Sequence, residues 1–203
     1  MRKLVVFQQI SLDGYFTDSH GDMSWAKNDN DEEFNAFSSE NAKGGGVLLF
    51  GRVTYDLMSS FWPTPQAYQM LPVVAERMNN LPKIVFSRSM TKASWNNTKV
   101  VNGDMIAEIR KRKEESGEGM AILGSGNIVS QLALADVIDE YQIVLNPIAL
   151  GGGRTMFDEI KDSLNLKLTQ SRIFRNGKVF LSYKPVIWEH RCQEKKANFG
   201  KAD

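Results

Sequence analysis

Cysteine is nearly absent from this sequence: Cys192 is the single one among 203 residues, so no intramolecular disulfide can form and a reducing cytoplasm is the expected setting. Histidine is almost as scarce. The two present, His20 in a polar stretch and His190 in a charged tail, have no cysteine cluster beside them, so no metal is expected. Cys192 likewise lacks a histidine partner for nucleophilic catalysis. Long apolar runs are missing too, and the LVVF at 4–7 is too short for a signal sequence or a membrane span. Charge of one sign does not accumulate: 25 Lys and Arg against 24 Asp and Glu leave a net +1, which offers no bulk attraction to nucleic acid or anionic lipid. No GxxxxGK[ST] occurs, which argues against ATP hydrolysis through a P-loop. What these absences leave is a protein whose expected partner is a small molecule.

The remaining composition is ordinary. Apolar residues make up 42% and charged residues 24%, and the length predicts one domain over 1–185 followed by a charged tail at 186–203. The pattern centres on MAILGSGNIVSQ at 120–131. Met120 to Leu123 read as a buried strand, and Ile128, Gln131, Leu132 and Ala135 recur at helical spacing. Between them, Gly124 and Gly126 flank Ser125. Such a junction points free N–H groups and the positive end of a helix dipole at whatever lies over the turn, an arrangement that holds phosphate. A turn that needs glycine only for its backbone angles is the competing reading.

The same pattern recurs along the chain. Leu4 to Ile10 is strand-like and ends in the turn Ser11-Leu12-Asp13-Gly14. A polar stretch from Thr17 to Asp29 carries Trp25. A helix is expected from Asp31, with Asp31, Glu32 and Glu33 in its first turn, Phe34 and Phe37 on its apolar side, and glycines 44–46 as its stop. Val47 to Phe50 is the next strand, and Gly51-Arg52-Val53-Thr54-Tyr55 opens a helix directly after it, a second strand-glycine-helix junction with an arginine at its mouth. Tyr68 to Asn79 predicts a helix running up to Leu81-Pro82. Lys83 to Phe86 predicts a strand ending in Ser87-Arg88, Val100-Val101 a short strand, and Met105, Ile106 and Ile109 the apolar side of a surface helix. Glu140 to Leu145 is another strand, followed by Gly151-Gly152-Gly153-Arg154. Leu166 to Phe174 and Val179 to Tyr183 flank Asn176-Gly177 and predict a hairpin. Strand and helix therefore alternate. The expected fold is α/β, a mostly parallel mixed sheet with helices on both faces and an antiparallel C-terminal hairpin, and such sheets bind ligands at the carboxyl ends of their strands.

Five segments in this order, SLDG at 11, GRVTY at 51, KIVFSR at 83, AILGSGNI at 121 and LGGGRTMF at 150, resemble the dihydrofolate-reductase-like superfamily. The likeness is greatest to the C-terminal reductase domain of bifunctional riboflavin-biosynthesis deaminase/reductases, and it runs from Met1 to about Lys184. It implies a single-domain, three-layer dihydrofolate-reductase-like fold with NADPH across the strand ends. The activity implied is that of an NADPH-dependent oxidoreductase transferring hydride to a small nitrogen heterocycle or ribosylamine, most like 5-amino-6-(5-phosphoribosylamino)uracil reductase. Dihydrofolate or pterin reduction is one alternative, and a catalytically silent NADP(H)-binding protein with a regulatory or partner-binding role is another. The HxE and PCxxC pair of the deaminase half is absent from the sequence, which fits a stand-alone reductase. Likeness to the riboflavin branch also implies a homodimer that covers the antiparallel edge of the sheet.

The resemblance assigns roles residue by residue. Gly51, Arg52 and Thr54 match the helix-start motif on the pyrophosphate side of the cofactor, and Ser87 and Arg88 the pair that receives the adenosine 2′-phosphate. A doubly charged phosphate favours an arginine fork plus a hydroxyl, where a bare ribose favours a carboxylate, so NADPH is expected over NADH. Gly124, Ser125, Gly126 and Asn127 match the turn at the pyrophosphate and nicotinamide ribose, and Gln9 falls near the nicotinamide. The folate-reducing branch places a carboxylate at the start of the helix after the tryptophan loop. Asp31 and Glu33 both fall near that place, Asn30 competes for it, and Asp13 fits the SLDG motif. These three carboxylates are the catalytic candidates, with helix-dipole and turn roles as the competing explanations. Gly152 and Arg154 are candidates for a substrate phosphate. Trp25, Phe34 and Trp62 are candidates for stacking on a planar heterocycle, although aromatics at such spacing also build cores.

Overall fold

The apolar runs become strands of one sheet, and the glycine junctions become the starts of helices. A computed structural model describes residues 1–26, 31–44, 46–161 and 163–186. In chain order it contains β1 (Leu4–Ile10), β2 (Tyr15–Thr17), α1 (Glu32–Lys43), β3 (Val47–Gly51), α2 (Arg52–Phe61), α3 (Pro65–Met70), α4 (Pro72–Asn80), β4 (Lys83–Phe86), β5 (Thr98–Val101), α5 (Met105–Glu114), β6 (Met120–Leu123), α6 (Gly126–Leu134), β7 (Glu140–Leu145), β8 (Arg154–Thr155), β9 (Leu166–Ile173) and β10 (Val179–Pro185). Eight strands form one sheet in the order β5-β4-β3-β6-β1-β7-β10-β9. The pairs from β5 to β7 are parallel, and β10 and β9 are added antiparallel. The fold is thus the mixed α/β sheet with a C-terminal hairpin that the sequence predicts, and Gly177 turns the hairpin at φ 82°.

Side-chain alternation gives the sheet two apolar faces. On one, Leu4, Val6, Leu49, Met120, Ile122 and Tyr141 pack with Ile109 of α5 and Ile128, Val129 and Leu132 of α6. The other face carries two separate clusters. Leu48, Phe50 and Val85 meet Tyr55 of α2 and Met78 of α4, while Phe34 of α1 meets Val144, Phe174 and Phe180. The strip of sheet between these clusters, over β1 and β6, is left unfilled.

Two local features depart from expectation. The helix predicted from Tyr68 to Asn79 is two helices, because Pro72 lacks an N–H and its ring drives Leu71 out of helical geometry, to φ −143° and ψ 70°. β2 and β8 form an additional antiparallel ribbon, whose strands of three and two residues are too short to show a period. Asn30, His190, Cys192 and all but the first residue of the expected tail lie outside the described residues. Among the described residues no helix is long and apolar enough to cross a membrane.

Candidate nucleotide and substrate site

Strand order brings the distant motifs into one row. Gly51 pairs with Phe86, just before Ser87 and Arg88. Leu49 pairs with Ile122, which sets Gly51 level with Gly124, and Phe7 pairs with Leu123, which sets Gln9 beside the same turn. β4, β3, β6 and β1 are successive neighbours, so at about 4.8 Å per strand the row spans roughly 14 Å.

Within this row the two glycine junctions touch. A Cβ on Gly51 would overlap Ser125 Oγ and lie 3.3 Å from Ile128 Cδ1. One on Gly124 would lie 3.0 Å from Thr54 Cγ2 and 3.3 Å from its Oγ1. Gly124 has φ 71° and Ser125 φ 73°, a left-handed conformation uncommon for a side-chain-bearing residue and concentrated at functional sites. The starts of α2 and α6 therefore lie side by side, and neither carries a side-chain cap. By contrast Asp31 caps α1 and Asp104 caps α5. The uncapped first-turn N–H groups of α2 and α6 are left for solvent or an anionic ligand.

Around this cradle the side chains are unequally committed. Arg88 is exposed, and Ser87 Oγ accepts from the amides of Ser89 at 3.3 Å and Met90 at 3.0 Å, keeping its own proton available. Arg52 is exposed and pairs with Asp56 at 2.6 Å. Asn127 donates to Glu159 at 2.6 Å and accepts from Gln131 at 2.6 Å, so its side chain is engaged along α6 and away from the turn. Gln9 Oε1 is buried and has no hydrogen-bond partner among the described residues. A buried acceptor of this kind is costly unless something donates to it.

The unfilled strip is a cavity of about 600 Å³ that Gln9, Leu123 and Gly124 line near the strand ends, with Phe7, Met58 and Trp62 along its wall; Asn79, just before β4, donates to the Trp62 carbonyl at 2.9 Å and so sets Trp62 toward the strand starts. Trp62 is held by its indole N–H on Met58 Sδ at 3.1 Å. Of the other aromatic candidates, Trp25 lies in the turn Ser24–Ala26 with its indole N–H on the Asp22 carbonyl at 3.2 Å, and it does not line the cavity, whereas Met23 does. Phe34 corrects the expectation of a stacking role: it is 1% exposed and meets Phe174 edge-on at 5.1 Å between ring centres, so it offers no face to a ligand.

None of the three carboxylates lines the cavity. Asp31 caps α1, accepting from the Phe34 amide at 2.7 Å. Glu33 accepts from Arg172 at 2.9 Å and the Arg175 amide at 3.2 Å, and the Arg172 hydrogen bond holds its carboxyl below the usual range. Asp13 ties the end of β1 to the glycine run: it accepts from Ser11 Oγ at 2.6 Å, the Leu150 amide at 3.0 Å and the Gly151 amide at 2.7 Å. These bonds, that from Ser11 foremost, bring its pKa down to about 2. Gly152 has open space around its Cα and Arg154 is exposed in β8, on the ribbon over the start of α6. Phe7, Met23, Met58 and Leu123 were not singled out by motif. For Phe7 the signal was present, since alternation along β1 puts it on the face of Gln9.

Comparison with known proteins agrees with this geometry. Residues 2–180 match the model of the RibD C-terminal domain family. The chain is 24% identical over 182 residues to the uncharacterised protein YyaP of Bacillus subtilis (strain 168), covering 90% of this chain and 94% of that one. A solved structure ascribed to riboflavin biosynthesis, from Shewanella sp. PV-4, superposes with a TM-score of 0.68 at 26% identity, covering 91% of this chain and 99% of the other. Dihydrofolate reductase from Enterococcus faecalis, solved with NADP(H), shares the fold at a TM-score of 0.62 and 17% identity, covering 91% of this chain and 97% of the other. The chain belongs to the RibD C-terminal domain family and is a reductase built on the dihydrofolate-reductase-like fold.

Proposed function

We propose that this reductase uses NADPH to reduce a small C=N substrate of the kind handled in riboflavin biosynthesis. The observation that carries the cofactor assignment is the pair of touching, uncapped helix starts in line with Ser87 and Arg88. Gly51, Thr54, Gly124, Ser125 and Gly126 would hold the pyrophosphate, Ser87 and Arg88 the 2′-phosphate, and Gln9 the carboxamide end, its unpartnered Oε1 accepting an N–H. Bound NADPH supplies the hydride. The chain supplies position: the phosphate anchors fix one end, and Phe7, Met58, Trp62 and Leu123 give the cavity an apolar wall. Among the described residues no Asp, Glu or His lines that cavity, so solvent provides the proton, which suits an imine, where no strong general acid is needed.

Titration with NADPH and NADH in parallel, read by quenching of tryptophan fluorescence, tests the reading. NADPH should bind at least about tenfold more tightly. Absence of binding by either cofactor would reject it. We also infer a homodimer through β9, whose residues after Leu166 are all exposed.

A further inference from the structure

Residues 87–97 join β4 to β5 with no helix or strand of their own, and Arg88 stands near the start of that segment with its side chain exposed. A connection of this kind is mobile unless something ties it down. A guanidinium carried on a mobile loop loses affinity to the ordering that binding demands. The segment is tied in its own core at two places. Trp95 is 6% exposed, its ring centre lies 5.9 Å from that of Phe50, and its amide donates to Tyr55 Oη at 2.9 Å. Met90 is buried in the same cluster.

The tie nearest Arg88 comes from outside the segment, from Asn102, the first residue after β5. The Ser87 amide donates to the Val101 carbonyl at 3.1 Å, which sets Asn102 beside the start of the segment. Asn102 Nδ2 then donates to the Ser87 carbonyl at 2.6 Å and to the Met90 carbonyl at 2.9 Å. A side-chain amide has two N–H donors, so both are spent on the carbonyls that bracket Arg88 and Ser89. From within the turn, Ser87 Oγ accepts from the Ser89 and Met90 amides. The backbone is therefore held on both sides of Arg88, whose guanidinium enters no ion pair among the described residues. Serine in place of Asn102 would offer one hydrogen, and ionised aspartate, of the same shape, none.

We propose that Asn102 is a positioning residue for cofactor choice: by clamping the turn at 87–90 it aims Arg88 at the 2′-phosphate and sets the preference for NADPH over NADH. This rests on the reading in which Ser87 and Arg88 receive that phosphate. The role is separable from folding. Asn102 is itself exposed, and its bonds lie in an exposed and a part-buried setting, so water takes over the two carbonyls when the amide is removed.

The test uses Asn102→Ala in the full chain, alone and combined with Arg88→Ala. Dissociation constants for NADPH and NADH are read by tryptophan quenching, and amide exchange of the unliganded chain by NMR. Asn102→Ala should weaken NADPH about three- to tenfold and leave NADH within about twofold of the wild type. Added to Arg88→Ala, it should cost NADPH less than about twofold more, because it acts through the guanidinium. The Met90 amide should exchange faster in the free variant while the amides of β4 do not change. Equal weakening of both cofactors would make Asn102 a support of the fold or of the part the cofactors share, and overturns the proposal. So does full additivity with Arg88→Ala, or faster exchange at Met90 with NADPH binding unchanged. If Arg88→Ala itself fails to separate the two cofactors, the 2′-phosphate reading falls and this proposal with it. Selective loss of NADPH at Arg88 with none at Asn102 rejects the positioning role alone.

Discussion

In the reading we propose, cofactor choice turns on Arg88. Its side chain is exposed at the end of β4, next to a Ser87 hydroxyl whose oxygen already accepts from two amides. In the proposed complex that oxygen would leave its proton to the 2′-phosphate while the guanidinium would supply the charge. A hydrogen bond to a charged group contributes about 1.5–3 kcal/mol, so Arg88→Ala should raise the Michaelis constant for NADPH by about ten- to a hundredfold and leave that for NADH nearly unchanged. Steady-state kinetics with both cofactors checks this; equal losses would remove Arg88 from the 2′-phosphate. Asp13 answers to pH instead. Its carboxyl titrates near 2 against an ordinary 3.8, because Ser11 and then the Gly151 and Leu150 amides bond the ionised form. The folded state therefore binds this proton less readily than the unfolded chain, and the stabilisation, complete above about pH 4, is lost as pH falls through 2. Melting temperature measured from neutral pH down to pH 2 should decline, and Asp13→Asn should flatten part of that decline, with Glu33 and Glu108, also lowered, contributing to the rest.

At the scale of elements, the site is two helix starts pressed together. Gly51→Ala puts a methyl group into Ser125 Oγ, an overpacking that costs about 1–3 kcal/mol and pushes α2 from α6. NADPH affinity should fall about tenfold or more. Adding Ser125→Gly should restore most of it, since the nearest remaining contact, Ile128 Cδ1, is 3.3 Å away and the left-handed strain at 125 is relieved. If the double variant binds no better than Gly51→Ala, the junctions do not act as one cradle. These starts were legible in the sequence because Gly51-Arg52 and Gly124-Ser125 each follow a buried run, and Asp31 was legible as a helix start for the same local reason. What escaped was non-local. Phe34 on an amphipathic helix reads alike whether its ring meets a ligand or Phe174, and only the third dimension decides. Likewise nothing in Met58 or Leu123 says that β6 will lie between β3 and β1, yet that order sets both residues on one cavity.

The sheet of the whole molecule ends in two edge strands, a short β5 and a long, exposed β9. Helices and loops cover the central strands on both faces, but the last strand, β9, follows the hairpin beyond that cover. Leu168 is 48% and Ile173 is 77% exposed. Among the described residues its outer edge has no neighbour in the sheet order and so presents unpaired backbone groups. A long edge bearing apolar side chains recruits a partner or aggregates unless it is blunted, and Lys167 and Arg172 blunt it only in part. Pairing with a second copy covers edge and apolar side chains together, and two-fold symmetry makes the contact self-complementary and closed, so it stops at the dimer. Sedimentation equilibrium at micromolar protein should give twice the chain mass. Leu168→Lys combined with Ile173→Lys should give the monomer at the same concentration, with NADPH affinity unchanged because the cofactor row lies on β4, β3, β6 and β1. A wild-type chain that sediments as a monomer, or a double variant that remains dimeric, would mean that β9 is not the contact.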